Sequence, residues 1–72
     1  MKEKHRPVEF TQSELDCLRL TAGGKKSSEI AKILDLSEHV VSNQLNTAVK
    51  KLGCSTRTQA VVNALRLNLI RA

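Results

Sequence analysis

Residues 27–52, SSEIAKILDLSEHVVSNQLNTAVKKL, decide the fold. Two helical patterns flank a short break. Before it, Ile30, Ala31, Ile33 and Leu34 form the apolar side of one helix, expected over about residues 28–34. Ser27 is its expected cap, and Glu29 suits the positive helix start. Asp35 and Leu36 make the turn. Ser37 then caps a second helix, with Leu36 and Val41 placed to staple across the cap. Beyond it Val41, Leu45, Ala48 and Leu52 recur at i, i+4, i+7 and i+11, the spacing of a core stripe, until Gly53 stops the helix. Two helices joined this closely, the second longer and richer in polar residues, are a helix-turn-helix.

The core stripe fixes what the second helix shows to its surroundings. His39, Ser42, Asn43, Asn46 and Lys50 share the opposite face. That face holds no acid and no large apolar group. A surface helix with no other duty commonly carries Glu there, whereas Ser and Asn are poor helix formers. Short donor–acceptor side chains ending in a cation suit a helix lying in the major groove of DNA. Asn can bond adenine N6 and N7 together, Ser discriminates poorly, and Lys meets phosphate. Many all-α bundles contain a helix-turn-helix without touching DNA, so the face carries more weight than the motif.

Working outward, Thr11 and Glu14 form a capping box for a first helix, with Phe10 and Leu15 as its hydrophobic staple. Leu15, Leu18 and Ala22 point inward with Cys17 beside them, and Gly23-Gly24 ends the helix. Thr56 and Gln59 form a second capping box, opening a fourth helix that runs to about Leu67, with Asn68 at a left-handed exit. Its apolar residues fall into two stripes. Ala60, Ala64 and Leu67 form one, and Val62, Leu65 and Leu69 the other, on different sides of the helix. One stripe is expected in the core. The other is expected to be partly exposed and to pair with a second copy, because so small a domain cannot cover a helix all round. The expected fold is all-α: a four-helix domain over residues 10–72, containing a helix-turn-helix and a fourth helix for dimerisation. Residues 1–9, charged and holding the single Pro, read as a flexible lead or linker.

Charge supports a polyanion partner. Residues 1–38 carry seven basic and seven acidic side chains, and no acid follows Glu38. Lys50, Lys51, Arg57, Arg66 and Arg71 therefore supply the whole net charge of +5. Lys25, Lys26, Lys50 and Lys51 flank the helix-turn-helix and are expected on phosphate, together with Ser27, Thr47 and Arg57. Composition excludes other classes. One aromatic residue, Phe10, is too few for base-stacking sheets or single-strand grooves. Cys17 and Cys54 have no metal-ligand spacing and sit among apolar neighbours, so reduced thiols and a cytoplasmic, nucleoid-associated location are expected. No apolar run exceeds three residues, which leaves neither a membrane span nor a signal peptide. His5 and His39 are isolated, and Glu14 and Asp16 face apart at i, i+2, so no catalytic pair can be placed. No cofactor is implied.

With these residues in view, the chain resembles the DNA-binding domain of LuxR-type (GerE-like) regulators. The resemblance runs from Phe10 to Ile70 through Phe10-Thr11, Glu14, Leu18, Gly24-Lys25, Glu29-Ile30-Ala31, Leu36-Ser37, Val41, Lys51-Leu52-Gly53, Arg57, Gln59-Ala60-Val61, Ala64 and Leu69-Ile70. It implies a third helix in the major groove, base contacts from Ser42, Asn43 and Asn46, and a fourth helix that pairs with a second copy. His39 joins the base-contact candidates from its place on the same face. The family's frequent helix-2 cap is Lys26 here, its Thr before the core Val is Val40, its frequent His is Gln44, and a Lys or Arg common in several branches is Ser42. Residues 57–62 (RTQAVV) and 64–67 (ALRL), with Asn46 and Ala48, most resemble quorum-sensing regulators. That branch would add a separate N-terminal domain binding an acyl-homoserine lactone, promoter DNA with a palindromic operator, and RNA polymerase as a further partner. The alternatives are a free-standing GerE-like domain, a response-regulator effector domain, or a helical protein-interaction module that has lost DNA binding.

Overall fold

The local signals for starting and stopping helices are realised at almost every expected position. The computed structural model describes residues 9–71, so all of the expected lead except Glu9 lies outside the described residues. Among them are four helices and no strand: α1 (Gln12–Ala22), α2 (Ser27–Leu34), α3 (Glu38–Lys51) and α4 (Arg57–Arg66).

Three helix starts are capped by hydroxyls. Glu14 N–H donates to Thr11 Oγ1 at 3.1 Å, and the Glu14 carboxylate accepts from Thr11 N–H at 2.8 Å, completing the capping box. Ser37 Oγ accepts from Val40 N–H, and Thr56 Oγ1 from Gln59 N–H, both at 3.1 Å. The second box is offset, because the Gln59 amide oxygen accepts from Ser55 N–H at 2.9 Å rather than from Thr56. The expected Ser27 cap is incorrect. Ser27 is already helical, and Lys26 occupies the cap position with extended backbone and no side-chain cap bond. An ammonium cannot accept a hydrogen bond. Only the reverse contact forms, from Lys26 N–H to Glu29 Oε1 at 2.9 Å.

All four helices end in the same double turn. Lys25, Leu36, Cys54 and Leu69 each donate a backbone N–H to the carbonyl five residues earlier, at 2.8–3.0 Å. The geometry needs a left-handed residue just before the donor, and Gly24, Asp35, Gly53 and Asn68 supply it with φ of 88°, 57°, 67° and 58°. Asp35 therefore does more than fill a turn. Its left-handed backbone redirects the chain so that Leu36 reaches inward and Ser37 starts α3 three residues after α2 ends.

Leu18, Ile30, Val41, Leu45 and Cys17 are the largest fully buried side chains, with Ala48, Ala60 and Ala64 between them. Helices α1 and α3 each pack against the other three, while α2 and α4 do not meet. Two expected core residues lie outside. Ile33 is 54% exposed, because it sits about a quarter turn from the buried side defined by Ile30, Ala31 and Leu34. Leu67 is 62% exposed, because α4 stops at Arg66 and the chain turns away at Asn68. Ile70, only 5% exposed, returns to the core in its place.

Replacing Lys26 with Ser gives α2 the acceptor it lacks. Lys26→Ser is expected to raise stability by about 0.5–2 kcal/mol, measured as a higher urea midpoint at unchanged m-value.

Candidate nucleic-acid interface

Burial of Val41, Leu45 and Ala48 turns the other side of α3 outward. His39, Asn43, Asn46, Thr47 and Lys50 are exposed on it, and Ser42 is half-buried. No carboxylate lies among them; Glu38, exposed in the first helical turn, stands at the edge. Lys25 and Lys26 are exposed immediately before α2, whose first residue, Ser27, is half-buried. The N–H groups of Ser27 and Ser28 begin this helix beside the two lysines, with the Glu29 carboxylate in the same first turn taking the Lys26 N–H.

The start of α4 adds a further cation to this surface. Arg57, the first residue of α4, is half-buried, and its Nη2 lies 3.5 Å from Asn46 Oδ1. No acid occupies the first turn of α4. A cation at the positive end of a helix, uncompensated by a carboxylate, costs about 0.3–1 kcal/mol. Tolerating that cost suits a residue whose charge is used outside the domain.

Lys51, also expected on phosphate, has its ammonium engaged within the domain. Its Nζ donates to Glu14 Oε1 at 2.7 Å and to the Glu9 carbonyl at 2.9 Å, and lies 5.5 Å from the Phe10 ring centroid. The Glu14 side chain is 5% exposed. Burial pushes its carboxyl pKa up, but the Lys51 ammonium and the Thr11 N–H and hydroxyl outweigh that and hold it below its ordinary value. Local sequence assigns Glu14 a partner only in the capping box. Its second partner stands 37 residues away and leaves no local signal.

On the far side of α4, Val62 is 41% exposed, while Leu65 and Leu69 are half-buried against the core. Beside Val62 an open groove of about 370 Å³ is lined by Cys54, Thr58, Asn63 and Arg66 among others. Asn63 Nδ2 donates to Cys54 Sγ at 2.9 Å. Cys17 is fully buried, which, with the Asp16 and Glu14 charges, raises its thiol pKa. Both cysteines are free thiols.

The model of the bacterial regulatory proteins of the luxR family matches residues 8–64. The chain belongs to the luxR family. Its fold is that of a helix-turn-helix DNA-binding domain of transcription regulators, not of an enzyme. A solved structure of the transcription factor GerE superposes with a TM-score of 0.83 at 30% identity, covering 92% of this chain and 97% of that one. The quorum sensing-dependent transcriptional regulator VjbR of Brucella abortus is 48% identical over 61 residues, 85% of this chain and 24% of VjbR. The transcriptional activator PhzR of Pseudomonas fluorescens is 41% identical over 63 residues, 88% of this chain and 26% of PhzR. The chain thus spans about a quarter of the length of these regulators. None of the described helices is long and apolar enough to cross a membrane.

The depressed Glu14 pKa has a defined consequence for stability. A carboxyl held below its ordinary 4.5 contributes stability that is complete above that value and is lost as pH falls through the depressed one. Glu14→Gln is expected to cost about 1–3 kcal/mol at pH 7. The difference from the parent should narrow below pH 4.5, as followed by urea denaturation across pH.

Proposed function

We propose that this domain binds double-stranded promoter DNA with α3 in the major groove, as the DNA-binding part of a quorum-sensing transcription regulator. The observation that carries this reading is the acid-free face of α3. It presents Asn43 and Asn46 to base edges with His39 and Ser42 beside them, and ends in Lys50. Phosphates are met by Lys25, Lys26 and the N-terminus of α2 on one side, and by Lys50, Thr47 and Arg57 on the other. Lys51 is left out, because its charge is used within the domain. The quorum-sensing assignment is supported by the likeness to VjbR. In this reading an acyl-homoserine lactone binds a separate N-terminal domain, RNA polymerase is contacted at the promoter, and the regulator works in the cytoplasm on the nucleoid.

Base reading and phosphate contact are separable. Asn46→Ala is expected to cost about 1–3 kcal/mol on the preferred duplex and little on random DNA. Lys50→Ala is expected to weaken all duplexes alike and to lower the slope of log affinity against log salt by about one. Binding that is independent of salt and sequence would point instead to a protein-interaction module.

The same reading pairs two copies through Val62, Leu65 and Leu69 of α4. Two-fold pairing would set the recognition helices about one DNA turn apart, roughly 34 Å, and select a palindromic operator. The surface is small, so the dimer should be weak in solution and stabilised by DNA. Leu65 and Leu69 also serve the core, so the more exposed Val62 gives the cleaner test. Val62→Asp should abolish cooperative binding to a palindrome while keeping half-site affinity and the native circular dichroism spectrum.

A further inference from the structure

We infer that Arg57 is a positioning residue for base discrimination: its guanidinium holds the Asn46 amide in one orientation, so that Asn46 selects adenine over guanine. The inference rests on the reading of α3 as the major-groove helix. Arg57 Nη2 lies 3.5 Å from Asn46 Oδ1, across the junction between α4 and α3. Among the described residues Arg57 has no other side-chain hydrogen-bond partner, and no acid lies in the first turn of α4 to draw it away.

The chemistry follows from the two ends of an amide. Adenine offers an acceptor at N7 and a donor at N6, and matches an Asn that presents nitrogen to one and oxygen to the other. Guanine offers acceptors at both N7 and O6. A freely turning Asn can aim its NH2 at guanine, so its preference is weak. A guanidinium donates only, so beside Asn46 it donates to the oxygen end of the amide and repels the nitrogen end. With the oxygen held towards α4, one of its lone pairs remains for adenine N6–H. Guanine O6 at that place would face the amide oxygen, acceptor against acceptor. Arg57 stands at the edge of the face where water is expelled on docking, which strengthens a contact that is long in the free domain.

The test starts from a pool of randomised duplexes. Selection with the parent domain defines the preferred site, and Asn46→Ala identifies the base pair that Asn46 reads. Affinities are then measured for that site with A or G at this pair. Arg57→Lys keeps the charge for a phosphate but loses the planar fork. It is expected to lower the A-over-G ratio at least about fivefold, the lower end of what a bidentate contact discriminates. In the Asn46→Ala background the same change should leave the ratio unaltered. In the free domain, Arg57→Lys should shift the Asn46 side-chain amide resonances in a ¹⁵N–¹H spectrum, a readout that needs no DNA. A parental preference that survives Arg57→Lys, with both duplexes weakened equally, makes Arg57 a phosphate anchor only and overturns this inference alone. A ratio that falls equally without Asn46 overturns it too, since Arg57 would then read the base itself. A parent domain with no salt-dependent sequence preference overturns the DNA-binding reading as well.

Discussion

One carboxylate oxygen joins the start of the first helix to the end of the third. Glu14 Oε1 accepts from Thr11 N–H at the start of α1 and from Lys51 Nζ at the end of α3. The cap already fixes the carboxylate, so pairing with the ammonium costs little further side-chain freedom. Isolated buried pairs often fail to recover their desolvation cost. Here the carboxylate accepts from a backbone N–H and an ammonium together, and Lys51 remains open enough to water to limit its own penalty. The same ammonium takes the Glu9 carbonyl and sits over Phe10. The chain entering the domain is thereby tied to the last turn of the helix that carries the exposed polar face.

That tie matters because the core is thin. Its fully buried side chains are mostly small or medium aliphatics and alanines, and Phe10 is partly buried at the edge. Hydrophobic burial gathers the helices without fixing their angles closely. Directional constraints do more of that work: hydroxyl caps at three starts and left-handed exits at all four ends. The exit at Asp35 is the most consequential. A non-glycine residue held at φ 57° is uncommon, and it sets the turn between the two helices of the motif.

Much of this was legible in the sequence because its causes are local. Thr11, Ser37 and Thr56 identify the helix starts, and Gly24, Gly53 and Asn68 the exits, from residue type alone. The Val41, Leu45 and Ala48 stripe fixes the outward face of α3 by periodicity. The misreadings share a different origin. Propensity favours Ser27 over Lys26 as a cap, although the backbone places the cap one residue earlier with no hydroxyl to fill it. Leu67 fits the stripe of Ala60 and Ala64 only if α4 continues, and Ile70 takes that space once the chain turns. Lys51 looks like Lys50 in sequence, yet one is drawn inward by a carboxylate 37 residues away and its neighbour is left outside.

The split between those two lysines also explains how a chain with balanced charge in its first half can present a basic surface. Glu14 is neutralised internally by Lys51. Asp16 is engaged by Arg19 and Gln12 on α1, and Glu29 by the Lys26 backbone at the start of α2. An acid paired with a cation a few ångströms away adds little field at a distance, as Glu14 does beside Lys51 and Asp16 beside Arg19. Lys50 and Arg57 have no carboxylate in reach among the described residues. A polyanion approaching α3 therefore meets uncompensated positive charge at the end of that helix and at the start of the next. Neutral amides lie beside these cations, at the place where a wrong charge would repel it.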